Sequence, residues 1–268
     1  MIDISIICAG IRPERWVKLY ETAVQSCTRY SFELLFVGPY PLPLELQNNP
    51  QIRYIQDWGT SCRCAQIATL SCSGKLIVRA DDDGDYYPDS LNQCIDLYYS
   101  FNNPKHAIGL RYREGKNFKG KRMQEMVWLA KTNVPGIQNV PDHYVNSPNV
   151  LMLREYLIEL GGWDCRFEHL AFAAYDLAMR IQRDGAMSIS SMEIMNNNWE
   201  PKSKIHKPIE LSHTAHDMPL FYAIQSDPKV LDRIKIDIDN WKLSSKVWAR
   251  RFGSDIQGVA HPELGETS

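Results

Sequence analysis

Four short apolar runs alternate with helical patterns, and the fourth breaks off into three consecutive aspartates; this order limits most tightly what the chain can fold into. Ile4-Ser5-Ile6-Ile7-Cys8 is nearly continuous in apolar residues, as in a strand covered on both faces. Pro13 suits the first turn of a helix that runs to about Cys27. A second strand, Phe32 to Val37, stops at Gly38-Pro39, and a third, Ile52 to Ile55, precedes a helix from about Ser61 to Ser71. Lys75-Leu76-Ile77-Val78 is the fourth strand and leads into Asp81-Asp82-Asp83, after which Pro88 opens a helix from Asp89 to about Phe101. Alternation of this kind predicts an α/β chain with a largely parallel, doubly wound sheet flanked by helices. In such sheets ligands lie beyond the carboxyl ends of the strands, where the aspartates fall.

The rest of the chain is less regular. Residues 111–147 read as a long loop or partly helical insertion. A strand returns at Asn149 to Leu153, a short helix from Arg154 ends at Gly161-Gly162, and a second helix, about Phe172 to Asp184, closes at Gly185. Beyond Ser191 the reading is a polar segment, a histidine-containing stretch, and one or two helices between Leu220 and Arg251, with the last fifteen residues frayed. At 268 residues and 44% hydrophobic, the chain suffices for one full core: a domain over 1–218 carrying a C-terminal helical extension over 219–268. A net charge of -2 gives no global field for nucleic acid or membrane, and no apolar run approaches the roughly 20 residues that span a bilayer. MIDISIICAG lacks the basic start of a signal peptide, and seven scattered cysteines read as reduced thiols packed in the core, so a cytoplasmic protein is expected.

Three adjacent carboxylates repel one another and ask for a compensating cation. Oxygen ligands suit Mg2+ or Mn2+ bridging carboxylates to substrate phosphates. A divalent ion clamping a diphosphate as it leaves is the chemical reading. The plain alternative is a solvated acidic loop capping the helix at Pro88, and the position after a buried strand tips the balance toward the clamp.

These residues carry a family resemblance. GKLIVRADDDGDYYPDSL resembles the donor segment of family-two-like GT-A glycosyltransferases, where a glycine, a strand, an Asp-x-Asp motif and a helix-opening proline follow in this order. NVLMLREYLIELGGWDCRF resembles that family's acceptor-side segment, AYDLAMRIQRDGA its following helix, and ISIICAGIRPE its first strand and turn. The resemblance implies a GT-A fold and transfer of a sugar from a nucleoside diphosphate sugar with Mn2+ or Mg2+. It assigns Asp81 to the ribose or metal shell and Asp83 to the metal and diphosphate, with Asp82 close by. It puts Arg63 on the nucleotide, Cys8, Ala9 and Arg12 at the base pocket, and Trp163 and Asp164 at the turn facing donor sugar or acceptor hydroxyls. For Arg63 and Trp163 the competing readings are a helix-surface arginine and simple core packing. Several GT-A enzymes complete the metal shell with a distant histidine; His213 and His216 are the candidates here, with His206 behind them.

Two departures stand out. Gly38-Pro39 occupies the place of an acidic residue that reads the base, which removes the argument for uridine. Ala173-Ala174 occupies the place of the acidic pair that supplies the general base of an inverting enzyme. Three explanations follow: Asp176, Asp164 or Glu168 acts as base from a shifted position; the enzyme is retaining and needs no dedicated base; or the chain binds donor without transferring it. The reading favours a retaining or rearranged enzyme, with Asp176 and Asp164 as its catalytic candidates, although Asp176 also fits an ion pair with Arg180 at i, i+4. Between Lys105 and Lys131 eight Lys or Arg face two Glu, which suits a loop over the diphosphate, a polyanionic acceptor such as nucleic acid or an acidic glycan, or a solvated charged loop. The competing functions are a nucleotidyltransferase, for which the turn after the first strand lacks a glycine-rich basic loop, and a non-catalytic sugar-nucleotide-binding module.

Overall fold

The computed structural model describes residues 2–115, 149–198, 212–230 and 232–243, together with the backbone of three short strands within 122–145. Strands β1 (Ile4–Ala9), β2 (Phe32–Gly38), β3 (Ile52–Gln56) and β4 (Leu76–Ala80) form the parallel half of the sheet, in the order β3-β2-β1-β4. The expected fourth strand runs two residues further than its apolar core, because Arg79 stays in the ladder and finds partners there.

The second half was only partly foreseen. It comprises β5 (Gly84–Tyr86), β6 (His106–Glu114), β7 (Arg122–Gln124), β10 (Val150–Leu153) and β11 (Met187–Asn197), while β8 (Val127–Leu129) and β9 (His143–Val145) pair only with each other. The sheet continues β4-β10-β6-β11-β5, with β10 antiparallel to both β4 and β6 and β11 parallel to β6; β7 pairs with β6. Residues 192–197, read as the start of a polar segment, are the end of β11, and their amides are used at the site below. The sheet is thus mixed, mostly parallel at the half that carries the aspartates.

Strand alternation sends side chains to two cores. Ile4, Ile6 and Cys8 of β1 and Leu34 and Phe36 of β2 face helices α1 (Pro13–Ser26) and α3 (Ser90–Ser100). Ile7, Leu35 and Val37 face α2 (Ser61–Ser71), α4 (Arg154–Glu159), α5 (Leu170–Arg183) and α6 (Met218–Ser226). Helix α1 starts on Pro13 and buries Trp16, Leu19, Ala23 and Ser26 at helical spacing. Trp16 stacks on Phe36 with ring centroids 4.5 Å apart, which adds about 1 kcal/mol to the area it buries.

The turns at the carboxyl edge are closely fitted. A Cβ on Gly38 would lie 2.0 Å from the Gly10 carbonyl oxygen, so the ends of β1 and β2 approach too closely for any side chain there. No acidic residue can stand at this position. Thr60 caps α2 by accepting from the Arg63 amide, and α5 closes through Gly185, whose φ is +74°. All seven cysteines are buried and unpaired, as the packing reading expected.

The described residues from Ser212 to Leu243 lie against the domain. Met218, Leu220, Phe221 and Ile224 pack on the α5 core, and residues 232–243 run back across α2 and α4. The Ile236 amide donates to the Leu160 carbonyl, Gln66 donates to the Ile238 carbonyl, and Arg63 donates to the Trp241 carbonyl.

Candidate donor site

The crevice between β1 and β4 is where chain progression switches sides of the sheet, and both strands deliver their following turns into it. From β1 come Gly10, Ile11 and Arg12; from β4 come Asp81, Asp82 and Asp83. The three aspartates do three different things.

Asp82 is buried and ties the two turns together. It accepts from the amides of Ile11 (2.7 Å) and Arg12 (2.9 Å) and pairs with the Arg12 guanidinium. Asp81 is held from three sides: by Arg79, by the Asn149 carboxamide at 3.1 Å and by Asn197 at 2.8 Å. Burial opposes its ionisation, but Arg79 and the two amides outweigh burial and keep its carboxyl below the usual range.

Asp83 differs. Among the described residues its ion-pair partner is Arg12, with 3.8 Å between the charged atoms, and 14% of its side chain is exposed. Burial, reinforced by Asp82 and Asp81 against the pull of Arg12, pushes its carboxyl up to about 6. The compensation that three carboxylates demand therefore comes from Arg79 for Asp81 and Arg12 for Asp82. Asp83 is left underserved. A carboxylate in that position gains by meeting a cation, so the residues fit a divalent ion at Asp83. Among the described residues no three His, Cys, Asp or Glu side chains converge on one metal position, so substrate oxygens or water would have to complete the shell.

The amide-rich end of β11 backs this cluster. Asn198 donates to the Asp83 carbonyl (2.8 Å) and the Asp85 carboxylate (2.7 Å), and the Asn197 Oδ1 is buried with no hydrogen-bond partner. Arg79, Asn149 and Asn197 were missed by the sequence reading. Arg79 had a signal, since a charge inside Leu76–Ala80 must be paired when buried. Asn149 and Asn197 had none, because their approach depends on β10 and β11 reaching this edge.

The other expected site residues divide. Ala9 ends β1 beside Val37, and Cys8 is buried in the core. Arg63 is not a surface arginine: it is buried, paired with Asp57 at 3.0 Å, and stacked on Trp241 at 4.8 Å. Trp163 is fully buried in the core, as its packing reading had it. Asp164 is buried under Arg166 and Arg233, and these charges hold its carboxyl below the usual range against burial. Asp176 is fully buried, with one oxygen on Arg180 (2.8 Å) and the other on Gln225 and Arg233. This is the i, i+4 ion pair, enlarged by residues from α6 and beyond. Ala173 and Ala174 are packed in the same core.

The histidines sit on a six-residue π-helical turn, Ser212–Asp217, that runs into α6. His213 packs on Phe172 (4.6 Å) and His169 (6.0 Å). His169 caps α5 by accepting from the Ala171 amide, and burial, with the charges of Arg79 and His213, pulls its imidazole down to about 3 despite Asp81. His169 thus lies within the electrostatic reach of the aspartates and remains neutral. His216 meets two carboxylates: its Nδ1 is 2.7 Å from the buried Asp217 carboxylate and its Nε2 is 3.9 Å from Glu168. His206 and most of the basic stretch 105–131 lie outside the described residues; within it, Lys105 pairs with Asp184 at 3.0 Å.

No protein-family model and no curated protein sequence matches this chain. Solved structures do. TarS 1–349 of S. aureus in complex with UDP superposes with a TM-score of 0.52 at 10% identity, covering 75% of this chain and 61% of that one. The same protein without ligand gives 0.51 at 11% identity over 86% and 77%, and its complex with UDP-GlcNAc 0.50 at 11% over 76% and 60%. This chain therefore spans 61% of the length of the first of these neighbours. The fold is that of the GT-A glycosyltransferases, as the ordered motifs implied.

Proposed function

We propose that this chain is a glycosyltransferase that moves a sugar from a nucleoside diphosphate sugar to a hydroxyl acceptor, with Mn2+ or Mg2+ at Asp83. The observation that carries the reading is the unequal fate of the three aspartates at the β1–β4 crevice. Two are neutralised by arginines, and the third is held half-buried with its carboxyl raised to about 6. Asp83 would hold the cation, whose chemistry there would be to shield negative charge on a diphosphate. Arg12 pairs with Asp82, and its guanidinium also lies beside Asp83, a cation suited to a diphosphate. Asp81 is the candidate for the ribose or metal shell, and Arg79, Asn149 and Asn197 hold its carboxylate in place.

A uridine donor is the first to test, because the TarS neighbours were solved with UDP and UDP-GlcNAc. In this reading the base is not read by an acidic residue at the end of β2, since Gly38 admits no side chain. The fully buried, arginine-bound Asp176 serves the core, so a proton acceptor has to come from a rearranged position or the mechanism has to do without one.

The test is nucleoside diphosphate release from a panel of nucleotide sugars in the presence of Mn2+. Release that disappears in Asp83→Ala supports the proposal. Pyrophosphate formed from a nucleoside triphosphate and a sugar phosphate would sink it in favour of a nucleotidyltransferase.

A further inference from the structure

The chain lacks an acidic pair on α5, yet an Asp–His pair stands close to where α5 begins. We infer that His216, oriented by Asp217, is the proton acceptor of the transfer reaction; this rests on the glycosyltransferase reading above. Asp217 is fully buried and fixed by three donors: the amides of Glu168 (2.8 Å) and His169 (2.7 Å), and the His216 Nδ1 at 2.7 Å. A carboxylate that accepts from Nδ1–H sets the tautomer and leaves the Nε2 lone pair outward, which is the division of labour in an Asp–His–nucleophile triad. The His216 ring is 31% exposed, and its Nε2 faces Glu168 at 3.9 Å. Two carboxylates thus flank one imidazole.

Its place in the fold supports the assignment. Asp217 holds the 168–169 backbone, and the Glu168 carbonyl accepts from Ser61, the first residue of α2, which starts at the carboxyl edge of the sheet after β3. The next residue, His169, lies in the field of Asp81, Arg79 and Arg12. The dyad therefore belongs to the edge that bears the donor site. It is carried on a π-helical turn, a rare conformation that recurs at functional sites. In the step itself, the Nε2 lone pair takes the proton of the acceptor hydroxyl. The acceptor oxygen forms a bond to the anomeric carbon, and the bond from that carbon to the β-phosphate oxygen breaks. Its electron pair leaves with the nucleoside diphosphate. A dedicated proton acceptor of this kind belongs to direct displacement with inversion.

Donor binding and turnover separate the inference from the reading beneath it. UDP-GlcNAc binding and UDP release, with water and a panel of hydroxyl acceptors, are measured for wild type, His216→Ala, Asp217→Asn and Glu168→Gln. The expected result is donor affinity within about twofold of wild type for His216→Ala and a loss of kcat on the order of a hundredfold. Added imidazole restores part of that loss, which a merely structural role would not allow. Asp217→Asn that folds should lower kcat with little change in KM. Turnover of His216→Ala within about threefold of wild type, or loss confined to Glu168→Gln, overturns the inference and leaves the glycosyltransferase reading standing. Wild type that binds donor without releasing UDP to any acceptor overturns the dyad, and failure to bind any nucleotide sugar overturns the reading itself.

Discussion

Asp83→Asn removes one negative charge from the crevice while nearly keeping the shape of the side chain. The carboxyl of Asp83 titrates near 3.8 in the unfolded chain and is raised to about 6 in the folded one, by burial first and by Asp82 and Asp81 next. Between these values the folded protein holds more protons than the unfolded one, so stability falls as pH rises from about 4 to about 6 and stays low above that. The lift corresponds to a ceiling of about 3 kcal/mol. With 14% of the side chain in contact with water, solvent screening reduces this to about 1–2 kcal/mol. In urea unfolding without divalent cations, Asp83→Asn should therefore be more stable than wild type by about 1–2 kcal/mol at pH 7.5 and nearly equal to it at pH 4.5. Adding Mn2+ should reverse the order at pH 7.5, because the cation stabilises only the protein that binds it, by about 2.7 kcal/mol at a hundredfold excess over its dissociation constant. Destabilisation of Asp83→Asn at pH 7.5 would refute the electrostatic account. Equal stabilisation of both proteins by Mn2+ would refute the assignment of the cation to Asp83.

Four further outcomes follow from the same geometry. Arg233→Ala leaves Asp176 and Asp164 short of a counter-charge in the core and should cost about 3–5 kcal/mol in urea unfolding, since removing one member of a buried ion network exposes the rest. Gly38→Ala drives a methyl group against the Gly10 carbonyl and should destabilise by about 1–3 kcal/mol, read as a lower Tm; an unchanged Tm would mean the β1 and β2 ends are less closely packed than described. Asp82→Ala removes the acceptor for the Ile11 and Arg12 amides, and hydrogen exchange at these two should accelerate by about tenfold with exchange in β2 unaffected. The His169 ring should show no titration in NMR between pH 5 and 8. Its lowered value means the folded state resists a proton that the unfolded state accepts, so His169 withdraws stability as pH falls from about 6.5 toward 3.

The fold was legible where local pattern suffices. Strands β1 to β4 and helices α1, α2, α3 and α5 lie within a few residues of where apolar runs, Pro13, Pro88 and Gly185 put them. Strand β11 was not legible, because Met187–Asn197 mixes serines and asparagines whose value lies in what they bond across the sheet. The antiparallel insertion of β10 between β4 and β6 likewise has no local signature: Val150–Leu153 is an apolar strand in either direction. At the site, a strand end reveals that carboxylates cluster but not which of them is already neutralised. That depends on Arg12 and Arg79, whose side chains reach the cluster from two different strands' ends.

Asp164 and Asp176 stand in the expected sequence positions and are closed over by charge: Asp176 accepts from Arg180, Gln225 and Arg233, and Asp164 lies under Arg166 and Arg233. The extension after α5 closes one acidic site and, through Ser212–Asp217, builds another beside the 168–169 turn. In the inferred arrangement the proton acceptor is an imidazole on a rare turn, and it and the donor crevice are held by different elements. The crevice depends on β1, β4 and β11, and the dyad on α6 and the cap of α5. A variant that loses the dyad should therefore keep the donor, and a variant that loses Asp83 should keep the dyad's hydrogen bonds. That independence is what makes the two halves of the mechanism separable by mutation.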